Sequence, residues 1–232
     1  MKIGIMQPYF VPYIGYWQLM NAVDKYVIYD DVNYINRGWI NRNRILVNDM
    51  PCYFNIPMLG ASQNKKINEI EVNKDERLQK KNLNTIKLAY TRAPYFKEVY
   101  PLLEKIFQSD KTILSEFIQD SFLTIGKYLN ITTEFIVSSS INKDDSQKGQ
   151  EKILTICELL GATEYYNAIG GQELYSKERF WEKNINLSFL KTNPIVYKQY
   201  GEKFQENLSI IDVMMFNSQR EVINMLDQYT VI

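Results

Sequence analysis

A proline-locked loop near the N-terminus, Gln7-Pro-Tyr-Phe-Val-Pro-Tyr-Ile-Gly-Tyr16, constrains this chain more than any other stretch. Lys2–Met6 (KIGIM) is an apolar run of strand length and opens directly onto it. Pro8 and Pro12 forbid a helix across the loop and hold it extended, because proline lacks the donor and crowds the residue before it. Gly15 then permits a tight turn. Behind it, Tyr16, Leu19, Met20 and Val23 fall at i, i+3, i+4 and i+7, one apolar face of a short helix. Lys25–Tyr29 (KYVIY) reads as a second strand and ends on the carboxylates Asp30 and Asp31. Strand, loop, helix, strand is a βαβ opening, which predicts a parallel sheet. Ligands of such sheets gather at the carboxyl ends of the strands, where the Gln7–Gly15 loop and the Asp30-Asp31 pair are both expected.

Histidine is the informative absence: the 232 residues contain none. Ser–His and Cys–His nucleophiles, histidine metal sites and imidazole bases are therefore excluded. Acid–base work falls to Asp, Glu, Lys, Tyr or Cys. Two cysteines, Cys52 and Cys157, have no spacing signature and read as reduced thiols, Cys157 on the apolar face of a helix. Lys+Arg and Asp+Glu balance to zero net charge, so no long-range field favours nucleic acid or a membrane surface. No stretch reaches the roughly 18–20 apolar residues of a membrane span, and no signal-peptide pattern opens the chain, so a cytoplasmic protein is expected. Many of the 17 tyrosines crowd the first hundred residues; they suit a ligand-lined cleft, and equally plain core packing.

Asn and Arg are dense from Asn33 to Arg44. Arg37, Asn41, Arg42, Asn43 and Arg44, interleaved with Tyr34 and Trp39, offer forked donors beside stacking faces, the chemistry that grips phosphate or carboxylate. A solvated, salt-bridged connector is the alternative. Ile45–Val47 and Cys52–Ile56 flank Asn48-Asp49, a hairpin signal weakened by Pro51. Leu59–Lys66 reads as a loop and Ile67–Val72 as a strand. Helices are predicted from Asp75 to about Ala89, with Leu78, Leu83, Ile86 and Tyr90 inward, and over Tyr100–Gln108 and Ile113–Leu129.

Thr133–Val137 is then a strand running into Ser138-Ser-Ser140 and a polar loop. Gly149–Leu160 is a helix closed by Gly161, which suits a left-handed cap. Glu164–Asn167 is a strand that enters Ala-Ile-Gly-Gly171, so this half repeats the N-terminal plan. A short helix around Lys177–Asn184, a strand around Leu187–Thr192, an irregular Tyr197–Gln205, a helix Ile210–Phe216 capped by Ser209, and a closing helix Ser218–Tyr229 complete the chain. The expectation is one α/β domain over 1–232. Its mainly parallel, Rossmann-like sheet is fed by 1–47 and 131–192, with a helical insert at about 75–130.

Neither a P-loop nor a dinucleotide-type glycine loop occurs. In layout the Gln7–Gly15 loop is similar to the nucleotidyl-transferase arrangement, with Tyr13 and Tyr16 where that signature has histidines. The run MQPYFVPYIGYWQLMNAVDKYVIYDDVNYINRGWINRNRI resembles the opening of the WbqC-like protein family, and KGQEKILTICELLGATEYYNAIGGQELY and LSIIDVMMFN agree with its second half. The resemblance implies a role in bacterial O-antigen or other surface-polysaccharide biosynthesis, alongside nucleotide-linked amino sugars. The expected activity is transfer of an acyl or aminoacyl group to the amine of such a sugar. The alternatives are a non-catalytic sugar- or carrier-binding module and a nucleotidyl-transferase-like enzyme. For the transferase, Asp30 or Asp31 accepts the amine's proton. Arg42 and Arg44 hold the diphosphate, with Arg37, Trp39, Gln7, Tyr9, Tyr13 and Tyr16 lining the substrate site. Asn41, Asn43 and the backbone at Gly170 and Gly171 steady the oxyanion. A strand-end turn at the Asp pair and a plain tight turn at the glycines are the structural alternatives. The partners expected are a nucleotide-sugar ligand and an acyl donor or carrier protein, with no cofactor, metal, nucleic acid or membrane span.

Overall fold

The computed structural model describes residues 1–232. Its centre is a six-stranded sheet of β1 (Lys2–Met6), β2 (Lys25–Ile28), β7 (Glu134–Val137), β8 (Glu164–Ala168), β9 (Asn186–Thr192) and β10 (Tyr229–Val231), in the order β10-β9-β8-β1-β2-β7. The first five run parallel and β10 is antiparallel to β9, so the sheet is mostly parallel and the fold is α/β. β1 pairs β2 on one side and β8 on the other. The chain order therefore diverges at β1, and a crevice is expected beyond its carboxyl end.

Alternation along the strands divides the interior. Ile3, Ile5, Val27, Tyr165, Leu187 and Phe189 pack on one face with α5 (Gly149–Leu159) and α6 (Lys177–Trp181). Tyr26, Ile28, Tyr166 and Leu190 pack on the other, with α1 (Ile14–Asn21), α2 (Glu76–Tyr90), α3 (Phe96–Phe107), α4 (Leu114–Tyr128), α7 (Ile210–Phe216) and α8 (Gln219–Met225).

Local signals account for many boundaries. Asp75 caps α2, Ser209 caps α7, and Gly161 takes the left-handed conformation after α5. Asn48 and Asp49 both have positive φ and close the hairpin of β3 (Arg42–Val47) and β4 (Met50–Asn55), with Leu46 opposite Pro51.

Four expectations are corrected. Residues 42–47 leave the main sheet and pair only with β4, because the hairpin turn supplies a local partner. Ile67–Glu69 is a 3-10 turn, and only β6 (Glu71–Val72) is extended, paired with β5 (Met58–Leu59). Leu78 is exposed. The closing helix ends at Met225, and the tail becomes β10, because the open edge of β9 offers it a ladder of unpaired donors and acceptors.

Candidate functional site

The loop after β1 is held from three sides. Val11 has φ +37°, an unfavourable backbone for a β-branched residue that persists only where its surroundings over-determine it. They do. Asn43 Nδ2, on β3, donates to the carbonyls of Phe10 (3.0 Å) and Val11 (3.1 Å). Ser209 Oγ donates to Val11 O (2.7 Å), while Ile210 N and Trp17 Nε1 donate to Pro12 O at 2.9 and 3.1 Å. Tyr16 is buried, and its hydroxyl donates to Gln7 O. Tyr9 stacks on Tyr16 at 5.1 Å. With its carbonyls satisfied inward, the loop leaves the half-buried Tyr9 and Tyr13 at the surface.

These two rings line a cleft of about 290 Å³ with Pro12, Trp39, Asn43, Arg44 and Asn207. The Arg44 guanidinium lies 5.5 Å from the Trp39 ring centre, a cation–π approach. One of its terminal nitrogens makes a long bond to Asn207 O (3.4 Å), and its buried Nε has no protein partner. No carboxylate pairs with Arg37, Arg42 or Arg44. A half-buried guanidinium that lines a cleft and lacks a counter-ion has the chemistry to accept an anion at its terminal nitrogens.

The rest of the Asn/Arg block does other work. Arg42 stacks on Tyr53 at 4.4 Å and donates to Gly38 O (3.0 Å) and Arg37 O, bracing a turn in which Arg37 has φ +59°. Arg37 itself is exposed and outside the cleft lining. Asn41 is buried between the Tyr34 hydroxyl (2.7 Å) and Ile56 O (3.3 Å). Gln7 is half-buried at the end of β1. Gly170 is exposed and Gly171 sits against the Asn167 amide, both in a 3-10 turn over Ile169–Leu174 that replaces the expected glycine loop.

Asp30 and Asp31 follow β2 at the same sheet edge, beside the start of the 3-10 turn Ser138–Ser140 that follows β7. Neither lines the Arg44 cleft. Their environments differ, as neighbours on an extended backbone should. Asp30 accepts from Ser139 N (2.9 Å) and Ser139 Oγ (2.8 Å). Burial outweighs these bonds and raises its carboxyl above the ordinary range. Asp31 Oδ2 lies 2.8 Å from Lys143 Nζ and 2.9 Å from Lys152 Nζ, with the three side chains 3%, 1% and 4% exposed. Burial acts on Asp31 as well, but the two lysines and the Ser138 hydroxyl more than offset it and hold the carboxyl below the ordinary range. Lys152 also donates to Asp31 O (3.1 Å), and Lys143 to Ser138 O. Neither lysine stands out in the sequence as a partner for the carboxylates. Lys152 carries a signal, since it shares a helical face with Ile156 four residues on; Lys143, in a polar loop, carries none.

A second cleft of about 270 Å³ adjoins the first, sharing Tyr13 and Asn207. Its outer wall is the segment from Thr192 to Leu208, moored by the buried Asp212. Asp212 accepts from Tyr90 (2.7 Å), Tyr197 (2.7 Å) and Gln199 (2.8 Å), and burial raises its carboxyl despite these bonds.

The sequence pattern that defines the WbqC-like protein family matches residues 7–224, which spans the proline loop, both clefts and the carboxylate corner. The chain belongs to the WbqC-like protein family. This WbqC-like chain is 27% identical over 219 residues to an uncharacterized protein of Mycobacterium tuberculosis, covering 93% of each. No solved structure matches it. In this WbqC-like protein no helix is long and apolar enough to cross a membrane.

Proposed function

We propose that the Arg44 cleft binds the diphosphate of a nucleotide-linked amino sugar, and that the protein acylates or aminoacylates that sugar's amine during surface-polysaccharide (O-antigen) assembly. The observation that carries the reading is the Arg44 guanidinium: stacked on Trp39, without a carboxylate partner, with its Nε unbonded. Tyr9, Tyr13 and Trp39 supply flat apolar faces for a base or sugar ring. Membership of the WbqC-like family supports the polysaccharide setting.

In the proposed reaction the amine attacks the donor's acyl carbon. A C–N bond forms, the bond to the leaving group breaks, and the departing oxygen or sulfur takes up a proton. The proposed acceptor of the amine's proton is Asp30, which lies at the same sheet edge but lines neither cleft, so the proton would reach it across the Ser139 hydroxyl that bonds it. Asp30 suits this role because burial raises its carboxyl above the ordinary range, whereas two lysines hold the Asp31 carboxyl below it. Asn41 and Asn43 spend their Nδ2 groups on backbone carbonyls, so neither is free to steady the oxyanion, and the Gly170–Gly171 backbone lines neither cleft.

Calorimetric titration of nucleotide-linked amino sugars, with mass-spectrometric detection of the N-acylated product, tests the reading. Binding that survives Arg44→Ala unchanged removes the anion site. Both carboxylates are bonded within the protein, which favours the non-catalytic binding module as the second reading. Tight binding without product from any activated acyl donor selects it.

A further inference from the structure

The two clefts share a wall but differ in chemistry. The Arg44 cleft carries an unpaired guanidinium. The adjoining one is walled by Ile14, Pro194, Ile195, Val196, Phe204 and Leu208, and its only ionisable side chains besides tyrosines are carboxylic, that of Glu206. No Lys or Arg lines it, so a phosphate or carboxylate entering there would lose its hydration without gaining a counter-charge.

The wall is built rather than loosely draped. Gln199 Nε2 donates to Gln205 O (3.1 Å) and Gln205 N donates to Gln199 Oε1 (2.8 Å), closing the segment on itself. Tyr197, whose ring lines the cleft, is fixed by its hydroxyl bond to Asp212. The two clefts meet at Tyr13 and Asn207, and Asn207 O is the atom that Arg44 touches. A ligand whose anionic end is held at Arg44 therefore has an apolar, cation-free compartment at its side.

We infer that this second cleft is the subsite for the transferred group, and that it takes a short acyl chain without negative charge. The inference rests on the proposed acyl transfer and names the class of its donor. Burial of an uncharged chain accounts for the apolar wall, and the lone carboxylate with no cation selects against dicarboxylic acyl groups.

The test uses N-acetylcysteamine thioesters, which carry an acyl group but no phosphate, beside inorganic pyrophosphate as the probe of the Arg44 cleft. Binding to the full chain is read by calorimetry or ligand-observed NMR. The butyryl thioester is expected to bind roughly tenfold tighter than the acetyl one, the gain from burying two methylene groups. The succinyl thioester is expected to bind no better than acetyl. Val196→Glu, at a position 74% exposed where folding is not at stake, is expected to weaken butyryl binding at least about fivefold while pyrophosphate affinity stays unchanged. Affinity independent of chain length or of Val196→Glu, with pyrophosphate still bound, overturns this subsite and leaves the Arg44 site standing. Pyrophosphate failing to bind while the thioesters follow the expected order overturns the anion site instead and leaves the acyl compartment.

Discussion

Asp31→Asn should cost the protein stability rather than recognition. Its carboxylate is the counter-ion of two lysines at 2.8 and 2.9 Å, and none of the three side chains is more than 4% exposed. The substitution leaves two ammonium groups facing a neutral amide. Breaking a buried pair by removing one partner costs roughly 3–5 kcal/mol, because the remaining charge stays desolvated. The Asn Oδ1 still accepts one lysine, which places the expectation near 3 kcal/mol. For a chain of this length about 2–4 °C is lost per kcal/mol, so the melting temperature should fall by roughly 6–12 °C. The assay is urea unfolding with a thermal melt, beside titration of a nucleotide-linked sugar. Lys152→Met added to Asp31→Asn should recover part of the loss, since it removes one of the stranded charges. A single variant melting within about 2 °C of the wild type would show that solvent reaches the lysines and would refute the argument.

Arg44→Ala should weaken sugar-nucleotide binding by about 1.5–3 kcal/mol, roughly ten- to hundredfold, with an unchanged melt. Arg42→Ala should do the reverse, since its bonds brace the turn at Arg37; equal affinity loss in both would contradict the assignment. Asp30→Asn should abolish N-acyl product while retaining binding and fold, and product formed at the wild-type rate removes Asp30 as the base. Stability should depend on pH with two opposing signs. Asp30 and Asp212 have raised folded carboxyls, so their charged forms cost stability at neutral pH, and that cost is relieved as pH falls through the raised values. Asp31 is lowered, so its contribution is complete above the ordinary carboxylate value and is lost as pH falls through its lower folded value, on the acid side of about pH 4. Urea midpoints between pH 3 and 8 should therefore peak in mild acid, and Asp212→Asn should flatten the neutral limb; a midpoint that rises steadily to pH 8 would contradict this.

Features whose causes lie within a few residues are legible in the amino-acid order alone. Pro8 and Pro12 dictate a loop between strand and helix, although Gly15 lies inside α1 and makes no turn, Asn48-Asp49 dictates a hairpin, Asp75 and Ser209 start helices, and Gly161 ends one. The parallel sheet follows from the order of those elements, and with it the single edge that carries the Gln7–Gly15 loop and Asp30-Asp31. Side-chain roles at that edge were decided by the tertiary structure. Arg42 and Arg44 stand two apart on β3 and look alike in the sequence. One is consumed by the carbonyls of its own turn; the other meets Asn207, 163 residues away, and keeps a free donor. Tyr13 faces the clefts while Tyr16, three residues on, is sealed into the core against Tyr9 and Tyr26. Asp30 and Asp31 divide into a raised and a lowered carboxyl only because Ser139, Lys143 and Lys152, more than a hundred residues on, arrive at their two sides. Local rules act through backbone geometry over a few bonds. Charge, burial and hydrogen-bond supply depend on what the fold brings within about 3 Å, and distance along the chain does not encode that.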